Sequence, residues 1–270
     1  MKILISVLTT ILLLAASNTF AQDKTGTNPI DFTYDYRIYT EMQQFKNDAG
    51  SQIRNIMEFR LPLGRDMANV IGQEEGGLRD LGSKFQLRFR GYFNHLTINN
   101  PSSPLGATSI SGFGDFDTRF LWIPKVTKRL GLAVGLEAFF NTASSEYLGA
   151  GRTNLAPIVF VPIFNILGKG SIFAPGYQYV FNVNGETTNR SQIDLYFVWG
   201  LAKGKNWLIV NPQIVIDHDA KAEFMVVDAE WGFMIAPQSG ISGYIRPGIG
   251  VGADRPFDYN LEFAVKFVWR

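Results

Sequence analysis

Tyr259-Asn260-Leu261-Glu262-Phe263-Ala264-Val265-Lys266-Phe267-Val268-Trp269-Arg270 is the stretch on which the fold turns. Successive side chains of a strand point to opposite faces. One face therefore carries Tyr259, Leu261, Phe263, Val265, Phe267 and Trp269. The other carries Asn260, Glu262, Ala264 and Lys266, with Val268 the only bulky apolar exception. A soluble sheet would lay the aromatic face on a core. A membrane barrel would turn it to lipid and turn Glu262 and Lys266 to a wet lumen.

The other end of the chain favours the membrane. Met1-Lys2 is a short basic start, and Ile3 to Ala16 is an apolar run broken only by Ser6, Thr9 and Thr10. Thr19-Phe20-Ala21 places small residues where a signal peptidase reads them, so residues 1–21 read as a secretory signal and 22–270 as the mature domain. The apolar run is too short for the roughly 20 residues of a spanning helix, and no later run reaches that length. There is no cysteine, which excludes disulfides and thiolate metal sites. A net charge of +1 implies no nucleic-acid or acidic-surface partner. Aromatics make up 14% of residues, and 27 Gly with 12 Pro mark many turns, which suits an all-β chain.

Alternating segments recur from Phe32 onward, separated by turn residues. Twelve are read, at about 32–43, 53–63, 84–97, 114–126, 131–143, 152–164, 170–184, 190–202, 206–217, 222–235, 241–252 and 258–269. Each is long enough to cross a bilayer as a tilted strand. The fold expected is a transmembrane up-and-down antiparallel β-barrel of about twelve strands, monomeric, in the bacterial outer membrane. With the last strand ending in the periplasm, Thr127–Leu130, Asn165–Lys169, Lys203–Lys205 and Ala236–Gly240 become short periplasmic turns. Asn99–Gly112, Ser144–Gly151, Glu186–Asn189, His218–Lys221 and Ala253–Phe257 become external loops. Gly64–Ser83 is too long for a periplasmic turn and reads as a periplasmic cap or an inward plug.

The facing pattern assigns a charged lumen. Strand 84–97 puts Phe85, Leu87, Phe89 and Phe93 out and Arg88 and Arg90 in. Strand 53–63 puts Met57, Phe59 and Leu61 out and Arg54, Glu58 and Arg60 in. Strand 222–235 turns Asp228 and Glu230 inward. Segment 152–164 is apolar on both faces and its facing stays open. Inward basic residues gather early, in Arg37, Arg54, Arg60, Arg88, Arg90 and Arg119. Acidic ones dominate later, in Glu137, Asp194, Asp228, Glu230 and Glu262, countered by Arg246 and Lys266. Asp35, Glu41, Glu58 and Asp117 neutralise part of the basic side. Two readings follow. The two groups face each other across a pore and orient a solute, or they form a salt-bridged filling that only stabilises the barrel.

Catalytic and metal chemistry find little support. His95 and His218 are the only histidines. A serine nucleophile needs a base within reach and a third orienting group. His95 with Thr97, and Ser191 across the barrel, do not make a convincing set, so no catalytic residues are assigned. Asp217-His218-Asp219 reads as an exposed loop tip rather than a cation site. Gly248-Ile249-Gly250-Val251-Gly252 opens no helix and is not a dinucleotide loop. No cofactor is expected.

Gly112-Phe113-Gly114-Asp115, then Leu148-Gly149-Ala150-Gly151 before Asn154-Leu155-Ala156-Pro157, then the closing strand after Gly252-Ala253-Asp254 form an ordered set. Over roughly the last 160 residues the chain resembles the outer-membrane family named for the MetA pathway of phenol degradation. That resemblance implies an outer-membrane barrel transporting small hydrophobic or aromatic compounds. The polar inner faces suit a hydrophilic solute equally well. The expectation is a channel or transporter whose partners are outer-membrane lipid and a small-molecule solute. The alternatives are a non-conducting envelope scaffold that engages other envelope proteins, a barrel lipid hydrolase, and a soluble periplasmic β-sandwich.

Overall fold

The computed structural model describes residues 33–63, 85–99, 107–127, 129–202 and 205–269. The proposed signal (1–21) and the Gly64–Ser83 segment lie outside the described residues.

The strands are β1 (Tyr34–Phe45), β2 (Gly50–Leu63), β3 (Phe85–Asn99), β4 (Ala107–Phe113), β5 (Phe116–Val126), β6 (Gly131–Phe140), β7 (Arg152–Phe160), β8 (Ile163–Phe164), β9 (Ser171–Gly185), β10 (Asn189–Leu201), β11 (Asn206–Asp217), β12 (Ala222–Ala236), β13 (Ile241–Val251) and β14 (Phe257–Trp269). β4 and β5 run end to end along β3, and β7 and β8 run end to end along β9. The fourteen elements therefore make twelve staves, all paired antiparallel. β14 pairs with β1 from Tyr34↔Trp269 to Phe45↔Phe257, so the sheet closes on itself and has no free edge. This is the twelve-strand up-and-down barrel expected.

Two boundaries differ from the sequence reading. Residues 107–112 were expected in a loop, but Ala107–Phe113 is a strand on β3. Its Ala-Thr-Ser-Ile-Ser-Gly composition has no apolar alternation to see. It is held by the backbone ladder and by hydroxyl contacts such as Thr97–Ser109 at 2.9 Å. Segment 152–164 is broken after Phe160, and its facing is resolved: Asn154, Ala156 and Ile158 are buried inward and Pro157 is exposed outward.

The barrel is apolar outside and polar inside. On β14, Tyr259, Phe263 and Val265 are exposed while Asn260, Glu262, Ala264 and Lys266 are buried. Outward rings form belts near both rims. Towards the end that carries the first and last strand termini, Tyr36 lies 5.1 Å from Phe59 and 6.1 Å from Phe267, and Phe173 stacks on Phe197 at 4.6 Å. Towards the far end, Phe93 meets Phe113 edge-on at 5.7 Å. Tyrosine settles at membrane–water boundaries because it pairs an apolar ring with a polar tip, and the phenylalanines beside it add apolar surface for lipid.

Candidate functional site

The barrel encloses a cavity of about 500 Å³. Its lining follows from strand alternation alone: on β1 the inward positions Asp35, Arg37, Tyr39 and Glu41 all border it, as does Thr33 just before the strand. From Thr33 to Glu41 is about 26 Å along a strand, which at the usual tilt of about 40° spans about 20 Å of the roughly 30 Å bilayer core.

The structure places Arg54, Arg60, Arg88, Arg90, Arg119, Glu137, Asp194, Glu230, Arg246, Glu262 and Lys266 around this one cavity. Asp228 is set apart from it, where it accepts a hydrogen bond from Asn260 at 3.3 Å. The charges do not face one another across the lumen as two opposed groups. They pair with neighbours on the same wall. Arg37 binds Asp35 and lies 3.5 Å from Glu58. Arg60 reaches Glu58 and Arg54 reaches Glu41, each at 2.5 Å. Arg88 pairs with Glu137 and with Asp117 at 3.2 Å, and Arg90 pairs with Asp117 at 2.9 Å and Glu137 at 2.8 Å. Arg246 pairs with Glu230 and lies 3.4 Å from Glu262. The reason is register. Glu58 sits opposite Arg37, Glu41 opposite Arg54, Asp117 opposite Arg90 and Glu262 opposite Arg246, so these partners lie a strand spacing apart, while Glu137 takes Arg88 and Arg90 from across the intervening β5.

Asp117, read from sequence only as a partial neutraliser, takes two arginines. Asp117 is 1% exposed and also accepts a hydrogen bond from Tyr92 at 2.5 Å. Near the terminal end the interior closes in. Trp207 is 1% exposed, donates to Glu230 at 2.6 Å, and lies on Gly232, where any Cβ would overlap the indole. Lys266, also 1% exposed, holds its ammonium 4.8 Å from the Trp207 ring, a cation–π contact.

The far mouth is shaped by the 141–151 connection. Asp115, in the break between β4 and β5, accepts from the backbone N–H groups of Thr142 and Ala143 at 3.0 Å and of Ala150 at 2.6 Å. Inward-facing Asn94 donates to the Leu148 carbonyl at 2.9 Å, and Leu148 is 4% exposed. The segment is thus tucked against the inner wall. Two stretches that carried the family resemblance, around Gly112–Asp115 and Leu148–Gly151, meet at this anchor. Nothing in the spacing of the chain indicated that contact.

Two hydroxyl–imidazole pairs occur on the outer face. His95 Nδ1 is 2.6 Å from Ser111 Oγ, and His218 Nε2 is 2.9 Å from Ser191 Oγ. His95 is therefore paired with Ser111 rather than Thr97, and Ser191 with the loop histidine. Neither ring has a carboxylate hydrogen-bonded to its other nitrogen among the described residues.

A closed, even-stranded barrel with an aromatic outside and a charged inside defines an outer-membrane β-barrel protein, and the bacterial outer membrane is its place. Its outer belt faces lipid. No family model matches the chain, and no curated protein matches its sequence. Solved structures do resemble it. An outer membrane channel from Pseudomonas putida F1 superposes with a TM-score of 0.65 at 12% identity, covering 93% of this chain and all of that one. The transport unit of the autotransporter AIDA-I from Escherichia coli gives 0.55 at 10% identity, covering 97% of each chain. The NanC porin gives 0.52 at 11%, covering 88% of this chain and 99% of that one. At these identities the likeness is one of fold.

Proposed function

We propose that the protein is a narrow channel that passes small solutes across the outer membrane. The observation that carries this reading is the polar cavity bordered by the inward residues of β1 from Asp35 to Glu41, inside a wall with no free edge. A barrel serving only as a scaffold has no need of such a space, and a filled interior is favourable for a small barrel. The fold likeness to an outer membrane channel and a porin is in keeping with this. The motif resemblance to the phenol-degradation transporter family supports membership of a related group, with small aromatic compounds among the solutes.

The test is conductance. Purified protein refolded and inserted as a monomer into a planar bilayer is expected to give discrete current steps in concentrated KCl. The tucked 141–151 segment and the paired arginines should keep those steps small. Absence of steps over a broad range of salt and voltage, with the barrel shown folded by its heat-modifiable mobility on gels, overturns the reading in favour of a non-conducting envelope component.

A further inference from the structure

Three arginines stand in a row. Arg60 on β2 is directly opposite Arg88 on β3, and Arg88 is directly opposite Arg119 on β5. Like charges opposite one another in a sheet repel. The row is flanked by one carboxylate at each end, Asp35 beside Arg60 and Glu137 beside Arg119. Both are already taken. Asp35 is bound by Arg37, and Glu137 by Arg88, Arg90 and the Gln178 amide at 3.1 Å. Arg60 turns to Glu58. Arg119 is left with no ion pair among the described residues, and its buried Nε, like that of Arg88, has no hydrogen-bond partner. It borders the cavity. Arg119 is half-buried, and an acceptor that reaches it from the cavity gains a charge-assisted hydrogen bond.

The surface next to Arg119 is apolar. Two residues along β5, Leu121 faces the same cavity, and Ile158 and Phe160 continue that surface on β7. Gly135 lies between Leu121 and Ile158 in the ladder, and Leu121 leans over it: a Cβ there would come within 2.7 Å of the leucine side chain. The site is therefore a planar cationic fork beside a smooth apolar wall. A guanidinium fork suits a carboxylate, which it can bind with two parallel hydrogen bonds.

We propose that the Arg60–Arg88–Arg119 row, with Leu121, Ile158 and Phe160, is a binding site for small monocarboxylates that carry an apolar or aromatic body. In the transport of such a solute the assignment rests on the channel reading; binding itself does not require conduction. The carboxylate takes the unpaired face of Arg119, and the apolar body lies along Leu121 and the β7 residues. Neutral analogues of the same shape gain only the second contact.

Isothermal titration of the detergent-solubilised full chain with benzoate and with benzyl alcohol decides this. Benzoate is expected to bind about tenfold more tightly than the alcohol, as a charge-assisted pair should. Arg119→Gln should remove the preference, and Arg119→Lys should retain only part of it, because an ammonium keeps the charge without the fork. Equal binding of the two ligands by the unaltered protein, or an undiminished preference in a folded Arg119→Gln, overturns the proposal. Should Arg119→Gln not fold, the unaltered protein still decides it through its benzoate preference. In bilayers, benzoate but not benzyl alcohol should reduce the current steps. Steps that benzoate leaves untouched count against the site, while absence of steps alongside a benzoate preference counts against the channel alone.

Discussion

Two stretches of the lumen wall solve the same problem in different ways. The wall of β2, β3, β5 and β6 carries Arg54, Arg60, Arg88, Arg90 and Arg119, with Glu58, Asp117 and Glu137 set among them. The wall of β9, β10 and β11 presents Ala174, Gln178, Gln192, Tyr196, Ile209, Asn211 and Gln213, with Asp194 and Arg190 its only charges on the cavity. On the first wall, charge is tolerated because register puts carboxylates one strand away from most guanidiniums. On the second, amides serve the one carboxylate: Asp194 accepts from Gln213 at 2.7 Å and from Gln192 at 3.3 Å. The first wall should therefore be sensitive to loss of one member of a pair. The second should be tolerant.

The strongest challenge to that contrast is Glu137→Ala. Glu137 is 4% exposed and serves Arg88, Arg90 and Gln178 at once. Its removal strands buried positive charge, and breaking a buried pair costs about 3–5 kcal/mol. A urea titration of barrel refolding into lipid vesicles should show the midpoint fall accordingly. An unchanged midpoint would mean that water already satisfies these arginines, and the first wall would be no more sensitive than the second.

Much of this was legible in the sequence, and the part that was not has a physical cause. Period-two alternation is a local property, so the lipid and lumen faces of β3, β12 and β14 could be read residue by residue. Closure followed from the count of such strands. Pairing is non-local. That Arg88 meets Glu137 rather than a later acid depends on the shear between strands, which side-chain type does not encode. The same applies to Asp115 and the 141–151 segment, which lie close in sequence yet are joined through backbone N–H groups that any residue could supply. β4 was invisible because serine, threonine and glycine carry no apolar signal, and β7 was ambiguous because Leu155, Ile158, Val159 and Phe160 put apolar groups on both faces.

The link between the walls is the next place to press. Gln178 on β9 donates to Glu137 at 3.1 Å, an amide of the second wall serving a carboxylate of the first. Gln178→Ala removes one charge-assisted hydrogen bond but leaves both arginines on Glu137, so the expected cost is about 1.5–3 kcal/mol in the same urea titration. Combined with Glu137→Ala, the second substitution should add almost nothing, because its partner is already gone. Full additivity would show that Gln178 supports the wall by packing and that the walls are energetically separate.

Asp194→Asn is the smallest effect expected. Asp194 is 8% exposed, and its partners are the side-chain amides of Gln192 and Gln213, not cations. An asparagine keeps one carbonyl oxygen to accept from Gln213, and the glutamine amides can turn to meet the new N–H donors. Because no cation is left behind, the stability change should stay within about 0.5 kcal/mol, the range of substitutions that break no buried pair. The same substitution removes the one carboxylate that this wall presents to the cavity. Its consequence should appear instead in the reversal potential under a KCl gradient, shifted towards anions. A fall in stability comparable to that of Glu137→Ala would place an unrecognised cation on Asp194 and erase the distinction between the walls.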